Sequence, residues 1–192
     1  MTDLYPGAVS GISLEACDGA RVYDISIKNI TMDRCTCPLF IRLGNRNRAA
    51  EVTASTANKT EIVKSDDNSK PTDKNTFDGR SELYNITVEN ITAKDIELPV
   101  IVAGYRQKGK TKRCRNITLR NFDISYRDAV VLRDDRLFIP EYTKEYPECW
   151  RFRNLPAYGI WARHCENLLI EDFRCKGIDG THRKEKIFTD CR

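Results

Sequence analysis

The chain has 192 residues, of which 40% are hydrophobic and 31% charged, with 32 basic against 28 acidic side chains for a net charge of +4. That is the composition expected of one globular domain with its own core, too short to split comfortably in two. No apolar run approaches the ~20 residues that cross a bilayer, and Met1-Thr2-Asp3-Leu4 opens no basic-then-apolar leader, so neither a membrane span nor a signal peptide is expected; the mixed charge tolerates an anionic partner without demanding one.

In chain order, two kinds of short segment alternate. The first kind opens with Gly11-Ile12-Ser13-Leu14-Glu15 and returns as Pro38-Leu39-Phe40-Ile41-Arg42, Pro99-Val100-Ile101-Val102-Ala103, Ala129-Val130-Val131-Leu132-Arg133 and Gly159-Ile160-Trp161-Ala162-Arg163, with starts 27, 61, 30 and 30 residues apart. A second kind follows four of these: residues 22–30, 83–91, 114–122 and 165–173 each read apolar, two spacers, then apolar-x-apolar-x-Asn/Asp-apolar. Alternation at Ile25/Ile27, Ile86/Val88, Ile117/Leu119 and Leu168/Ile170 has the period of two that marks a strand with one buried face. The Asn or Asp that closes it (Asn29, Asn90, Asn121, Asp172) suggests a bend where side-chain amides stack from repeat to repeat.

A repeat of roughly thirty residues lies in the range of solenoid units. The expected fold is therefore all-β, one right-handed, single-stranded parallel β-helix over residues 1–192, with Ile27, Val88, Leu119 and Ile170 in one inward row. Two polar stretches, about 44–82 and 134–157, read as insertions: Ser65-Asp66-Asp67-Asn68-Ser69-Lys70-Pro71 has loop composition, and the second holds Pro140, Pro147 and Pro156.

Eight cysteines are irregularly spaced, and Cys35-Thr36-Cys37 is too tight for paired zinc ligands. Most are expected to be reduced and structural; Cys114 and Cys165 take the slot of Val22 and Leu83 and should be small buried hydrophobes. Of the Asn-x-Thr sequons at Asn29, Asn58, Asn85, Asn90 and Asn116, four fall out of the strand pattern, so glycosylation is weakly indicated. The basic run from Arg106 to Arg115 contains a glycine and reads as a solvated turn; nucleic acid would require a wider patch with interleaved aromatics.

Two separated blocks carry a family resemblance: residues 11 to 48, with Gly11 to Gly19, Ile27-Lys28-Asn29-Ile30-Thr31-Met32 and Pro38 to Arg46, and a second with Pro140-Glu141-Tyr142-Thr143-Lys144-Glu145-Tyr146-Pro147, Leu155 to Gly159 and Ala162-Arg163-His164. In this order they resemble glycoside hydrolase family 28, the polygalacturonases and rhamnogalacturonan-cleaving enzymes, particularly its bacterial branch, over nearly the whole chain. The resemblance implies a pectin-lyase-like β-helix, inverting hydrolysis of glycosidic bonds, and proteins that are usually periplasmic or secreted. Inversion requires a carboxylic acid and a carboxylate base ~6.5–9.5 Å apart. The family draws these from Asn-Thr-Asp and Asp-Asp motifs followed by Gly-His-Gly and Arg-Ile-Lys. None is present in usable form: Asp66-Asp67 and Asp134-Asp135 read as solvated loop acids, neither His164 nor His182 is flanked by glycines, and Ser13-Leu14-Glu15 stands in place of Arg-Ile-Lys. The chain is thus expected to be the C-terminal part of a longer glycosidase, its catalytic coils preceding Met1, with no catalytic residue, metal or cofactor of its own.

Sugar contacts are expected on the outward columns of the first motif, Ser13, Phe40, Ile101, Val131, Trp161 and Glu15, Arg42, Ala103, Arg133, Arg163, because arginines can fork onto the carboxylates of an acidic polysaccharide. A Glu15–Arg42 ion pair between repeats is the alternative. The aromatics Phe138, Tyr142, Tyr146, Trp150, Phe152 and Tyr158 either stack on sugars or pin the second insertion to the body. Glu15, Arg42, Arg46, Arg163, Tyr158 and Trp161 are the candidate substrate-binding residues. An acidic, pectin-type polysaccharide is the expected partner, with neither nucleic acid nor membrane, and the open end of the β-helix is a candidate surface for self-association. A non-catalytic polysaccharide-binding or structural β-helix is the competing reading; a calcium-dependent lyase would want an acidic cluster that does not stand out.

Overall fold

The computed structural model describes residues 10–46, 80–127, 138–152, 155–177 and 183–192. Among these, the chain forms β1 (Ser10–Ala16), β2 (Arg21–Asp33), β3 (Cys37–Leu43), β4 (Glu82–Ile96), β5 (Val100–Ala103), β6 (Tyr105–Gln107), β7 (Lys110–Lys112), β8 (Cys114–Tyr126), a 3-10 turn (Cys149–Phe152), β9 (Ala157–Arg163), β10 (Cys165–Lys176) and β11 (Lys184–Thr189). Strand order is β1-β3-β5-β9-β11 in a first sheet and β2-β4-β8-β10 in a second. All ladders within these two sheets are parallel. Apart from the β6–β7 hairpin, successive strands alternate between the sheets, so the chain adds one strand to each sheet in turn. The hairpin turns on Lys108 (φ 48°) and Gly109 (φ 75°), the two left-handed residues of a tight two-residue loop; it is the centre of the basic run.

Register in the second sheet follows the repeat. Ile27, Val88, Leu119 and Ile170 are successive partners in one row, and they pack in or against the core between the sheets. Val88 and Leu119 are fully buried while Ile27 and Ile170, on the edge strands, are partly so.

Two amide ladders run along this sheet. Asn90 donates to Asn29 at 2.8 Å and Asn121 to Asn90 at 2.9 Å; the other ladder links Asp24, Asn85, Asn116 and Asn167 at 2.8–3.0 Å. Every rung residue has φ between 53° and 60°, the left-handed region that Asn and Asp tolerate best after glycine. The first ladder is the predicted bend. The second occupies positions the sequence reading passes over as spacers, and together they occupy four of the five sequons.

Every residue of β3 and β5 is buried, because the middle of the first sheet is covered on both faces, and there the strands read as continuous apolar runs. Inward, Leu39, Ile41, Val100, Val102 and Ile160 join the central core. Outward, Phe40, Ile101, Ala103 and Trp161 form a second core with Cys149, Phe152 and Leu155.

The repeat at Ala129 is a point of difference. β5 pairs directly with β9, Ile101 against Trp161 and Ala103 against Arg163, so no rung intervenes where Val131 and Arg133 are expected, and those two residues lie outside the described ones. Asn58, Asp66-Asp67, Asp134-Asp135 and His182 likewise lie outside the described residues. In contrast, β11 adds an unforeseen last rung; Lys184-Glu185-Lys186-Ile187-Phe188-Thr189 carries too little apolar alternation to announce itself.

Candidate functional site

The outward face of the first sheet is where the sequence places its candidate contacts, and the segment 138–152 lies over it. Phe152 is the wedge. Its ring centroid lies 5.8 Å from Phe40, 5.6 Å from Trp161 and 5.2 Å from Tyr142, and its side chain is buried with the rest of this cluster. Trp161 is 2% exposed, closed off from any sugar by the ring above it. Phe152 and Tyr142 therefore pin the insertion to the body, while Phe138, Tyr146 and Trp150 are exposed.

Arg42 and Arg163 clamp the same segment by its backbone. Arg42 donates from Nη2 to the carbonyls of Glu141 (2.5 Å) and Tyr142 (3.1 Å), and from Nη1 to those of Gly104 (3.0 Å) and Ala103 (3.5 Å). Its guanidinium also lies 5.3 Å from the Phe152 ring. Arg163 donates to Ile139 (2.8 Å) and Pro140 (3.0 Å), faces the Glu141 carboxylate at 3.5 Å, and sits 5.0 Å from the Trp161 ring. Burial pulls the Arg163 guanidinium down to about 10, against the pull of Glu141, and lowers Arg42 also. A buried cation is tolerated where most of its donors are met by acceptors; of Arg163, Nη1 and Nη2 are met and Nε is not. Neither arginine presents a free fork to a polysaccharide, and Arg42 directs its donors to these carbonyls rather than to Glu15.

Glu15 faces outward on edge strand β1. It accepts from Ser13 Oγ at 2.5 Å; partial burial raises its carboxyl, with Ser13 and Arg46 opposing and Glu148 reinforcing. Arg46 forks onto Asp18, one bond at 3.1 Å and the other shorter, and lies 4.9 Å from the exposed Tyr146 ring. Tyr158 is on the other face. It meets Tyr126 edge-on at 6.1 Å and packs against the central core. Of the six candidates, then, Glu15, Arg46 and Tyr146 beside them form a surface strip; Arg42, Arg163 and Trp161 are interior, and Tyr158 belongs to the inward side.

A cluster that sequence reasoning missed sits at the end of β9. His164 is 5% exposed; its Nδ1 lies 2.6 Å from Asp190 Oδ2 and its Nε2 3.1 Å from Glu141 Oε1. Asp190 also accepts from Arg113 at 2.7 Å, and Glu141 Oε2 from the Arg106 N–H at 2.9 Å. His164 itself has φ 53°, and Gly104 lies beneath it in the stack: a Cβ there would come within 2.5 Å of the His164 carbonyl and 2.4 Å of the Lys112 carbonyl. A histidine without flanking glycines drew no attention in the sequence, and its two partners lie 23 and 26 residues away.

This cluster should make docking of the segment acid-sensitive. The Arg113 bond holds the Asp190 carboxyl below its ordinary value; burial pushes Glu141 up, but His164, the Arg106 N–H and Arg163 together bring it below. A carboxyl lowered in the folded state contributes stability that is present above its unfolded value, ~3.9 for Asp and ~4.3 for Glu, and lost as pH falls through the lower folded value. Tryptophan emission, from Trp150 and Trp161 only, should thus hold constant down to about pH 4 and shift to the red below it, with the shift diminished in Glu141→Gln. Emission unchanged to about pH 2 would show that these carboxylates do not hold the segment.

Comparison of the chain with family models, with curated proteins and with solved structures finds no match.

Proposed function

We propose that this chain is a right-handed parallel β-helix, a portion or relative of a pectin-degrading glycoside hydrolase that lacks the hydrolytic carboxylate pair of that family. The observation that carries the fold is the alternation of strands between two parallel sheets with side-chain amides stacked in register, which supports a solenoid wound one rung at a time. The resemblance of residues 11–46 and 140–164 to family 28 carries the enzyme class.

Chemistry at the best-defined acid cluster argues against turnover here. Inverting hydrolysis needs two carboxyl groups facing one another across a scissile bond and a water. Asp190 and Glu141 instead face opposite edges of the His164 ring, which fills the space a glycosidic oxygen would require. The second reading, a polysaccharide-binding module without catalysis, draws on the surface strip of Glu15, Arg46 and Tyr146, where an arginine lies over an exposed aromatic ring.

Purified chain incubated for a day with polygalacturonate or rhamnogalacturonan should release reducing sugar at background only, since loss of a general acid or base forfeits ~10²-fold or more. Product formation abolished by a substitution within these residues would overturn the non-catalytic reading. Retention on immobilised polygalacturonate, weakened by Tyr146→Ala, is the outcome expected of the binding module.

A further inference from the structure

Cys114, Cys165 and Cys191 stand in a column that the glycosidase reading does not use. Cys165 is in register with Cys114. Past the end of β11 the ladder continues: His164 N–H donates to Thr189 C=O (3.0 Å), Arg192 N–H to Cys165 C=O (3.1 Å) and Asn167 N–H to Arg192 C=O (2.8 Å). With Thr189 opposite Arg163, this pattern sets Cys191 opposite Cys165. The two thiols also repeat one geometry, Cys165 Sγ donating to Arg163 C=O at 3.5 Å and Cys191 Sγ to Thr189 C=O at 3.6 Å. Neighbouring strands lie ~4.7–4.9 Å apart, within the ~4.4–6.8 Å Cα separation that a disulfide spans. Cys165 is fully buried and Cys191 half-buried, both as free thiols.

We propose that Cys191 and Cys165 are a thiol–disulfide redox pair, Cys191 the thiol reached by a low-molecular-weight disulfide and Cys165 the buried resolving thiol. Accessibility divides the roles, because the attacking sulfur must meet its oxidant in line. Acidity runs the same way: the neighbouring Cys165 lowers the Cys191 thiol against its partial burial, while Cys191 and burial raise Cys165. The attacking species is the Cys191 thiolate. It attacks one sulfur of the external disulfide, whose S–S bond breaks, and the departing thiolate takes up the proton that Cys191 had released to solvent. Cys165 then attacks Cys191 Sγ, expels the second small thiolate and passes it its own proton. Protein dithiol and external disulfide become protein disulfide and two small thiols, joining the last stretch of chain to β10. Cys114 is the competitor for Cys165, but burial raises it to about 12 and leaves it unexposed.

The test incubates the full chain with oxidised glutathione, blocks remaining thiols with N-ethylmaleimide under denaturing conditions, and maps the linked peptides. The expected product has lost about 2 Da and carries a Cys165–Cys191 link. Cys114→Ser should form it equally, whereas Cys191→Ser, a mild change at a half-buried site, should form no internal link and take up glutathione at least about tenfold more slowly. A Cys114–Cys165 link in the wild-type chain, an unchanged disulfide yield in Cys191→Ser, or a wild-type chain that stays fully reduced would each overturn the proposal.

Discussion

Arg42→Ala should destabilise the chain by about 3 kcal/mol or more in urea denaturation. Its guanidinium is 1% exposed and donates to four backbone carbonyls. Two of these belong to the covering segment and two to the end of β5, so truncation leaves acceptors on both sides without donors and opens a void beneath Phe152. At ~2–4 °C per kcal/mol for a chain of this size, the melting temperature should fall by about 6–12 °C. Arg42→Lys should recover less than half of the loss, because an ammonium cannot supply the planar fork that bridges the two carbonyl pairs. The double variant with Arg163→Ala should cost less than the sum of the singles, since both arginines hold one segment. A loss below about 1 kcal/mol in Arg42→Ala would mean that water replaces the guanidinium readily and that the clamp is not what seats residues 138–152.

Asn90 is the second position where one side chain should matter. It sits at φ 58°, donates to Asn29 and accepts from Asn121. Asn90→Ala should cost about 2–3 kcal/mol: a left-handed backbone penalises a Cβ by ~1–2 kcal/mol without the local compensation Asn brings, and two amide bonds exposed to solvent are lost at the low end of ~0.5–1.5 kcal/mol each. Asn90→Gly separates the two causes. Glycine adopts this conformation freely, so it should lose only the amide bonds, about 1 kcal/mol. Equal losses for alanine and glycine would place the whole effect in the ladder and none in the backbone. The same comparison at Asn116, in the other ladder, should give the same ordering.

The strand alternation, the bends and the in-register rows were legible in the amino-acid string because their causes are local. A period of two chooses which side chains face inward, and Asn or Asp after apolar-x-apolar marks a left-handed residue whose amide has a partner one rung away. Ile27, Val88, Leu119 and Ile170 fall in one row for that reason, and Cys114 and Cys165 are buried because their slot is. Locality also bounded what could be read. A rung at Ala129 satisfied the spacing, yet only pairing between β5 and β9 decides that none stands between them. The fate of the candidate contacts was decided by tertiary structure as well. Phe40, Trp161, Arg42 and Arg163 are outward on their strands, as the alternation implies, but outward is not exposed once residues 138–152 lie across them. Arg42 meets Glu141 and Tyr142 at separations of 99 and 100 residues, and their carbonyls, being common to all residues, leave no mark in the sequence. His164, Asp190 and Glu141 converge only because β9, the end of β11 and the covering segment come together in space, which no periodicity encodes.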